Sequence, residues 1–425
     1  MIVESVKEAR ARSLELIADL SDEQLRVERI DIVNPLDWEI GHVAYFQELF
    51  VLRQALGRAA LREDADALFD SIAIEHDVRW DLPLPPRSEL LDYVRRVGEI
   101  TARLADGPHD EDTLYRLWLS VFHEDMHCEA FTYTRQTMGF SMPTLGVPSS
   151  RDDADAGPHP GDVAIGGGRF RLGAPRDGRR YHLDNEQWEH EREVAPFEIA
   201  KAPVTQAELA AFVDDGGYRE RKYWSDEGWQ WRERVGATQP LYWRRRDGEW
   251  QRRHFDAWVA LEPHQPMIHC CWYEAQAYCA WAGRRLPTEL EWEVAAAAVP
   301  NPDGTVSGIK RHYPWGDDEP TPERVNMDWR GRGCVDVAAK PAGDSAYGCR
   351  QLLGNVWEWC SDTFGPYPGF EPGPYAEYSQ PLFGSTKVLR GGGWATRSRL
   401  IRNTWRNYYE PHRRDVWSGF RTCAR

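Results

Sequence analysis

Two histidines lie four residues apart in the stretch FHEDMHCEA, which otherwise has the pattern of a buried helix. On one face of a helix, His123 and His127 are close enough to chelate a single ion. Two ligands leave a metal under-coordinated, so a third is expected from a neighbouring helix. His42, in WEIGHVAYFQE, is the best candidate, because Gly41 beside it leaves room for another group to approach; His76 is a weaker candidate.

Three neutral imidazoles suit zinc, iron, copper or nickel, and they leave coordination positions open for catalysis. Two alternatives stay open at this point. The stretch HEDMH also matches the H-E-x-x-H pattern of zinc peptidases, although an all-helical segment offers no strand edge for a peptide substrate. Histidine pairs of this spacing are also common on protein surfaces without any metal.

The elements that must position these histidines are helices. Residues 1–147 contain four segments with apolar residues at helical spacing and no strand signal. The segment that carries His42 begins at Asn-Pro, a good helix start, and the segment that carries His123 and His127 is the longest. This pattern predicts an N-terminal four-helix bundle whose metal ligands project inward from facing helices.

The rest of the chain has a different pattern. Residues 148–160 are rich in Pro, Gly and Asp and are predicted to be a linker. In residues 161–425, short apolar runs are broken by Gly, Pro and Asp, which predicts one irregular α+β domain. Only the stretches TQAELAAFVDDGG and WYEAQAYCAWAG are clearly helical in pattern, and most of the 20 tryptophans lie in this half.

Composition limits the partners of the protein. The 425 residues carry a net charge of −16, which disfavours a nucleic-acid surface. No run approaches the roughly 18 apolar residues of a membrane span. The N-terminal segment is charged throughout and lacks the apolar core of a signal peptide. We therefore expect a cytoplasmic protein that acts on small molecules, with neither nucleic acid nor membrane as a partner.

Several stretches of the C-terminal half resemble the formylglycine-generating-enzyme fold, an irregular domain similar to C-type lectins. They are LLGNVWEW at residues 352–359, VLRGGGW at 388–394 and the terminal GFR at 419–421. The enzymes of that fold that make formylglycine need a cysteine pair near the C-terminus to bind copper. Residues 390–421 contain no cysteine, so formylglycine chemistry is not expected.

A helical bundle similar to DinB proteins, with W-x-x-GH and HEDMH, fused to this second fold resembles the ergothioneine-biosynthesis EgtB family. The resemblance covers nearly the whole chain. It implies an iron(II) enzyme without haem that uses O2 to join a sulfur donor to C2 of the imidazole of hercynine (trimethylhistidine). The iron ligands of the family correspond to His42, His123 and His127, and the resemblance displaces the peptidase interpretation.

The chain departs from the common family pattern in three places. It has WEIGH where typical sulfoxide synthases have WHLAH, and HEDMH where they have HEQQH. Where the family often has closely spaced arginines for the carboxylates of γ-glutamylcysteine, it has HDVRWDLPLPPR, with Arg79 followed by Trp80. This stretch resembles the selenoneine synthase (SenA) branch, whose donor is a selenosugar, and Trp80 would stack on the sugar. The alternatives are a sulfoxide synthase that uses cysteine or γ-glutamylcysteine, and a noncatalytic ligand-binding module.

The resemblance also implies a tyrosine that donates a proton or hydrogen atom. The stretch FGPYPGFEPGPYAEY offers three candidates, Tyr367, Tyr375 and Tyr378. Substrate contacts in the family lie in a C-terminal stretch that corresponds here to RNYYEP. The candidates for contacts with hercynine are therefore Asn407, Tyr408, Tyr409 and Glu410.

Overall fold

The N-terminal unit, Met1–Gly146, is built from helices, and the C-terminal unit, Val147–Arg425, mixes helices with strands. The computed structural model describes residues 2–149, 155–176 and 181–425. Residues 150–154 of the predicted linker 148–160 lie outside the described residues. The N-terminal α-helices are α1 (Ile2–Ile17), α2 (Asp22–Arg26), α3 (Leu36–Gln47), α4 (Ala65–Phe69), α5 (Arg87–Leu104) and α6 (Glu111–Met138).

Four of these helices, α1, α3, α5 and α6, are the segments that the sequence predicts from apolar residues at helical spacing. Local chemistry sets the ends of the longest one. The side chain of Asp110 accepts a hydrogen bond from the backbone N–H of Thr113 at the start of α6, and Gly139 ends the helix at a φ of 68°. Glycine adopts the left-handed backbone conformation at a lower energetic cost than other residues, so α6 ends where the sequence has a glycine.

The segment after His42 differs from a single continuous helix. Helix α3 ends at Gln47 and runs on as a π-helix, Glu48–Ala55. A short 3-10 helix, His76–Trp80, lies between α4 and α5. Apolar periodicity does not distinguish an α-helix from a π-helix over so few turns, which is why the sequence predicts one helix here.

The C-terminal unit contains fifteen short strands among its described residues. They are β1 (Asp162–Ile165), β2 (Gly168–Leu172), β3 (His190–Val194), β4 (Phe197–Ala200), β5 (Trp243–Arg246), β6 (Glu249–His254), β7 (Ala257–Ala260), β8 (Arg284–Arg285), β9 (Ala298–Pro300), β10 (Val306–Lys310), β11 (Trp357–Thr363), β12 (Lys387–Arg390), β13 (Arg406–Tyr409), β14 (Ser418–Gly419) and β15 (Cys423–Ala424). Two sheets have four strands, in the orders β1-β4-β15-β8 and β13-β12-β11-β14. Only the β11–β14 pair among these strands is parallel.

Four α-helices accompany the strands: α7 (Gln206–Asp214), α8 (Asp226–Val235), α9 (Trp272–Trp281) and α10 (Glu289–Ala297). The sequence predicts α7 and α9, and the expectation that only these two segments are clearly helical was wrong. Helix α10 is buried nearly all round, and α8 buries only Gly228 and Trp231.

The core of the C-terminal unit combines tryptophan with paired charges. The indoles of Trp292, Trp357, Trp359, Trp394 and Trp417 are almost completely buried.

Among the described residues, no helix has both the length and the apolar character that a membrane crossing requires.

Candidate metal centre

Helices α3 and α6 position the three predicted ligands. His42 lies on α3, and His123 and His127 lie one turn apart on α6. The sequence singles out Gly41 as a point of close approach, and the structure shows what approaches. A Cβ atom at Gly41 would lie 2.2 Å from Cε1 of Phe69, so only glycine lets that ring pack against α3 beside His42.

The three imidazoles converge on one point. Each offers one nitrogen, and these nitrogens lie within 4.8 Å of one another. The Nε2 atoms of His123 and His127 are 3.2 Å apart. Two nitrogens that each bind one ion at about 2.1 Å are about 3.0 Å apart at a right angle and about 3.4 Å apart at a tetrahedral angle. The spacing of this pair therefore fits two adjacent ligands of a single metal ion.

Two of the rings are held from behind. Nδ1 of His42 lies 2.9 Å from the carbonyl oxygen of Phe69, and Nδ1 of His127 lies 2.6 Å from Oε1 of Glu39. Both oxygens accept hydrogen bonds, so Nδ1 carries the proton and donates it in each case. Nε2 is then the lone-pair nitrogen, which is the tautomer that a ligand turned toward the cluster needs.

Aromatic rings enclose the cluster. Trp38 stacks on His42 with the ring centroids 5.0 Å apart and 6° between the planes. Phe46, one turn after His42 on α3, stacks on His123 at 3.6 Å and 7°. These contacts restrict how far the two imidazoles can rotate, because each ring lies flat against a larger buried one.

Burial keeps two of the three imidazoles, those of His42 and His123, uncharged. Burial first, and then the neighbouring His127 and Arg79, lower the pKa of His42 to about 3. Burial, with the other two imidazoles, also lowers the pKa of His123 well below its usual value. Since a metal binds the neutral imidazole, His42 and His123 are in the binding form at neutral pH.

The weaker candidate, His76, lies outside this cluster. Its Nε2 is 2.7 Å from the carbonyl oxygen of Val33, and its Nδ1 is 3.3 Å from Asp77. The structure therefore occupies both nitrogens of His76 with local contacts in and near the 3-10 helix.

Arg79, the predicted donor-binding arginine, is engaged by the bundle. Its guanidinium lies 4.1 Å from the ring centroid of Trp38 and donates to the side chain of Asn34 and to the carbonyl oxygens of Ser71 and Ile74. Trp80 is half-buried, and its Nε1 donates to the carbonyl oxygen of Val27.

The three candidate tyrosines differ in their surroundings. Tyr367 is buried under the guanidinium of Arg406, at 4.0 Å, and its hydroxyl has no hydrogen-bond partner among the described residues. Tyr375 and Tyr378 are half-buried, with ring centroids 6.2 Å apart. Burial raises the pKa of Tyr367 and that of Tyr378, so both hydroxyls keep their protons at neutral pH.

The predicted hercynine-binding residues lie on and just after β13. Tyr408 is buried, and its hydroxyl donates to the carbonyl oxygen of Tyr378. The side chain of Asn407 accepts a hydrogen bond from the backbone N–H of Tyr408 at 2.8 Å. Tyr409 and Glu410 are half-buried, and the guanidinium of Arg413 lies 5.2 Å from the Tyr409 ring.

The sequence interpretation did not assign a role to Glu39 or to Phe46 at the site. A signal for Glu39 was present, because it precedes His42 by three residues and therefore shares its face of α3. Phe46 follows His42 by four residues and shares that face too, but its stacking on His123 depends on how α3 packs against α6.

The chain matches two family models. Residues 149–425 match the sulfatase-modifying factor enzyme 1-like domain, and residues 5–130 match the DinB superfamily. A hercynine oxygenase from Mycolicibacterium thermoresistibile is 37% identical over 422 residues, which cover 97% of this chain and 92% of that protein. One from Mycobacterium tuberculosis is 37% identical over 418 residues, covering 97% of this chain and 96% of that protein.

A formylglycine-generating enzyme from Streptomyces coelicolor is 33% identical over 289 residues, but these cover only 59% of this chain and 85% of that enzyme. The hercynine oxygenases match both units of this chain, whereas the share matched by the formylglycine-generating enzyme is no longer than one unit. The prediction of an EgtB-like protein with a DinB-like bundle before a formylglycine-generating-enzyme fold is confirmed. The chain belongs to the hercynine oxygenase family.

Proposed function

We propose that the protein is a cytoplasmic, O2-dependent iron(II) enzyme that joins selenium from a selenosugar to C2 of the hercynine imidazole, as a selenoneine synthase does. The observation that carries the proposal is the convergence of His42, His123 and His127 inside the bundle of a chain related to hercynine oxygenases. The second candidate is the sulfoxide synthase reaction, with cysteine or γ-glutamylcysteine as donor.

The donor set fits iron. Nε2 of His42, Nε2 of His127 and an imidazole nitrogen of His123 would hold the ion and leave further coordination positions open. Iron(II) supplies the ability to react with O2 and to bind a soft selenolate or thiolate. The protein supplies three ligands that are already oriented, enclosed by Trp38 and Phe46.

The contacts of Arg79 support a donor without carboxylates. A γ-glutamylcysteine site needs a cation that can reach two carboxylates, and the guanidinium of Arg79 is already engaged by Trp38, Asn34 and backbone carbonyls. A selenosugar presents hydroxyls and an apolar ring face instead. The ring of Trp80, next to Arg79, is the surface that we propose stacks on it.

For hercynine, we propose contacts with Asn407, Tyr408, Tyr409 and Glu410. A trimethylammonium group is favoured next to aromatic faces and carboxylates. The Tyr409 ring already has one cation beside it, the guanidinium of Arg413 at 5.2 Å from its centroid, and a trimethylammonium group would make the same kind of contact.

A tyrosine would supply the proton. We propose that the donor is Tyr367, Tyr375 or Tyr378. The raised pKa of Tyr367 and that of Tyr378 keep both hydroxyls protonated, as a donor must be, but also make each hydroxyl a weaker acid.

The proposed reaction balances with O2 as the oxidant. Hercynine loses hydrogen from C2, the selenol loses hydrogen from selenium, and a C–Se bond forms. If one oxygen atom stays on selenium as a selenoxide, the two hydrogens and the second oxygen atom leave as water, and O2 takes up four electrons. If the product is the selenoether, O2 takes up two electrons and leaves as hydrogen peroxide.

Mass spectrometry of the reaction tests this proposal. The purified protein is loaded anaerobically with Fe(II), mixed with hercynine and one of three donors, and then exposed to air. The donors are a selenosugar, cysteine and γ-glutamylcysteine. We expect a product that carries the selenium isotope pattern and the hercynine mass, formed only when iron, O2 and the selenosugar are all present.

The other outcomes separate the alternatives. A product with a thiol donor and none with the selenosugar would show that the donor carries sulfur rather than selenium. The proposed class of reaction would then stand, with the sulfoxide synthase as the function. Stoichiometric iron binding with no product from any donor, or no iron binding at all, would favour the noncatalytic ligand-binding module.

A further inference from the structure

We propose that Glu39 is a positioning residue that holds His127 in the orientation and tautomer for metal binding and strengthens its nitrogen as a ligand. This inference rests on the metal site of the proposed function. The contact that carries it is the 2.6 Å hydrogen bond from Nδ1 of His127 to Oε1 of Glu39. Glu39 lies on the same helix as His42, so α3 supplies one ligand and the support of another.

The surroundings of Glu39 show that its carboxylate is placed for the imidazole. Its side chain is 1% exposed, whereas that of His127 is 19% exposed. Among the described residues, no arginine or lysine forms an ion pair with Glu39. A buried carboxylate is costly unless a charge or hydrogen bonds compensate it. The compensation at this position is His127, and through it the positive charge of a bound ion.

Two other buried carboxylates of the bundle are satisfied differently. Glu48 accepts hydrogen bonds from the hydroxyl of Tyr93 and the backbone N–H of Leu61. Glu124 is held by Arg10 and by the hydroxyl of Ser13. These contacts tie helices and a loop together, which is the usual structural use of a buried acid. Glu39 differs from both because its partner is a ring of the imidazole cluster.

The geometry excludes Glu39 as a fourth ligand of the same ion. Its carboxylate binds Nδ1, on the side of the ring away from Nε2, and it is not among the groups whose ligand atoms lie within 4.8 Å. A carboxylate that accepts the Nδ1 proton makes Nε2 a stronger electron donor and prevents the ring from flipping.

Metal titration of the full-length protein tests the proposal. The protein is stripped of metal and titrated at neutral pH with Co(II) against a coloured chelator. We expect Glu39→Gln to raise the Kd for Co(II) about tenfold, and Glu39→Ala to raise it by about 10- to 100-fold. Glu48→Gln, which changes an equally buried carboxylate in the π-helix that follows α3, is the matched control and leaves the Kd unchanged.

Two further measurements separate positioning from a structural role. The ligand-field bands of bound Co(II) shift in Glu39→Gln and not in Glu48→Gln. The Fe(III)/Fe(II) potential becomes more positive in Glu39→Gln, because the imidazole loses the charged acceptor behind it. If Glu39 had only a structural role, both variants would lose thermal stability because each changes a buried carboxylate. The Co(II) bands and the iron potential would then stay unchanged in both.

The results distinguish this inference from the metal site itself. If the unaltered protein binds neither Co(II) nor Fe(II), the proposed function fails. If it binds them and Glu39→Gln has the same Kd, bands and potential, the site stands and the role of Glu39 is overturned. Should Glu39→Ala fail to fold, Glu39→Gln decides the question, since it keeps the size of the side chain.

Discussion

The two units of the protein bury polar groups for different purposes. In the helical unit, which also has the buried pair of Arg10 with Glu124, three imidazoles are gathered at one point, and burial keeps His42 and His123 neutral. In the C-terminal unit, acids are paired with arginines. Arg390 bonds Glu289 and Glu293 at 2.7 and 2.6 Å. The imidazole nitrogens of the first arrangement are available to a ligand, whereas the carboxylates of the second are engaged by neighbouring cations. We therefore expect the imidazoles to serve chemistry and the ion pairs to serve stability.

The largest effect is expected at a ligand. His123→Ala removes one of three nitrogens, so the protein should purify without stoichiometric iron after anaerobic reconstitution and should not turn over, while its circular dichroism stays helical. His76→Ala is the matched control, because His76 binds Val33 and Asp77 and lies outside the cluster. Full activity in His123→Ala would refute the iron site.

Removing one member of a buried ion pair tests the other half of the comparison. In Glu293→Ala, Arg390 and Lys310 lose a buried partner, and the free energy of unfolding should fall by about 3–5 kcal/mol in urea titrations. The control Glu193→Ala breaks an exposed pair with Arg169 and should cost at most about 1 kcal/mol. Iron content should stay stoichiometric in both variants. Loss of iron in Glu293→Ala alone would contradict the assignment of metal binding to the helical unit and of stability to these ion pairs.

The catalytic tyrosine is tested by replacing each of Tyr367, Tyr375 and Tyr378 with phenylalanine. Loss of the proton donor should lower turnover by about 100-fold or more in one variant, with iron binding unchanged. Equal, small losses in all three would mean that these tyrosines pack the fold and that the proton comes from elsewhere.

Acid should weaken the C-terminal unit in a defined direction. Burial alone raises the pKa of Glu289 and that of Glu293, but the neighbouring cations, Arg406 and Arg390 for Glu289, and Lys310 and Arg390 for Glu293, outweigh it and lower both. A carboxylate whose pKa is lower in the folded than in the unfolded state stabilises the fold at pH values above its unfolded-state pKa, which is about 4.3 for glutamate. This contribution is lost as the pH falls below that value toward the folded-state pKa.

Thermal unfolding between neutral pH and about pH 3 measures the slope, which is at most about 1.4 kcal/mol per pH unit for each carboxylate. Glu289→Gln and Glu293→Gln should each flatten it, whereas Glu377→Gln, at an exposed position, should not. Stability that rises on acidification would contradict the assignment.

The sequence predicts most of the helical unit and less of the C-terminal unit, for a physical reason. Apolar residues at helical spacing over several turns predict α1, α3, α5 and α6, each of 12 residues or more, along with the histidines of α3 and α6. Helix α10 has only nine residues, eight of them buried, so it offers neither several turns nor an exposed face by which a period can be recognised. At the site, i, i+4 spacing pairs His123 with His127, but nothing in the sequence pairs His127 with Glu39 on another helix.

The smallest effect is expected at Trp80. If its ring stacks on the selenosugar, Trp80→Ala should raise the KM for that donor about three- to tenfold and leave kcat and the KM for hercynine unchanged. Trp118→Ala, at another half-buried tryptophan of the bundle, is the control. Equal rises in both KM values would indicate a general disturbance of the bundle. An unchanged KM for the selenosugar would remove Trp80 from the donor site and, with Arg79 already bound to Trp38 and Asn34, would leave donor recognition to other residues.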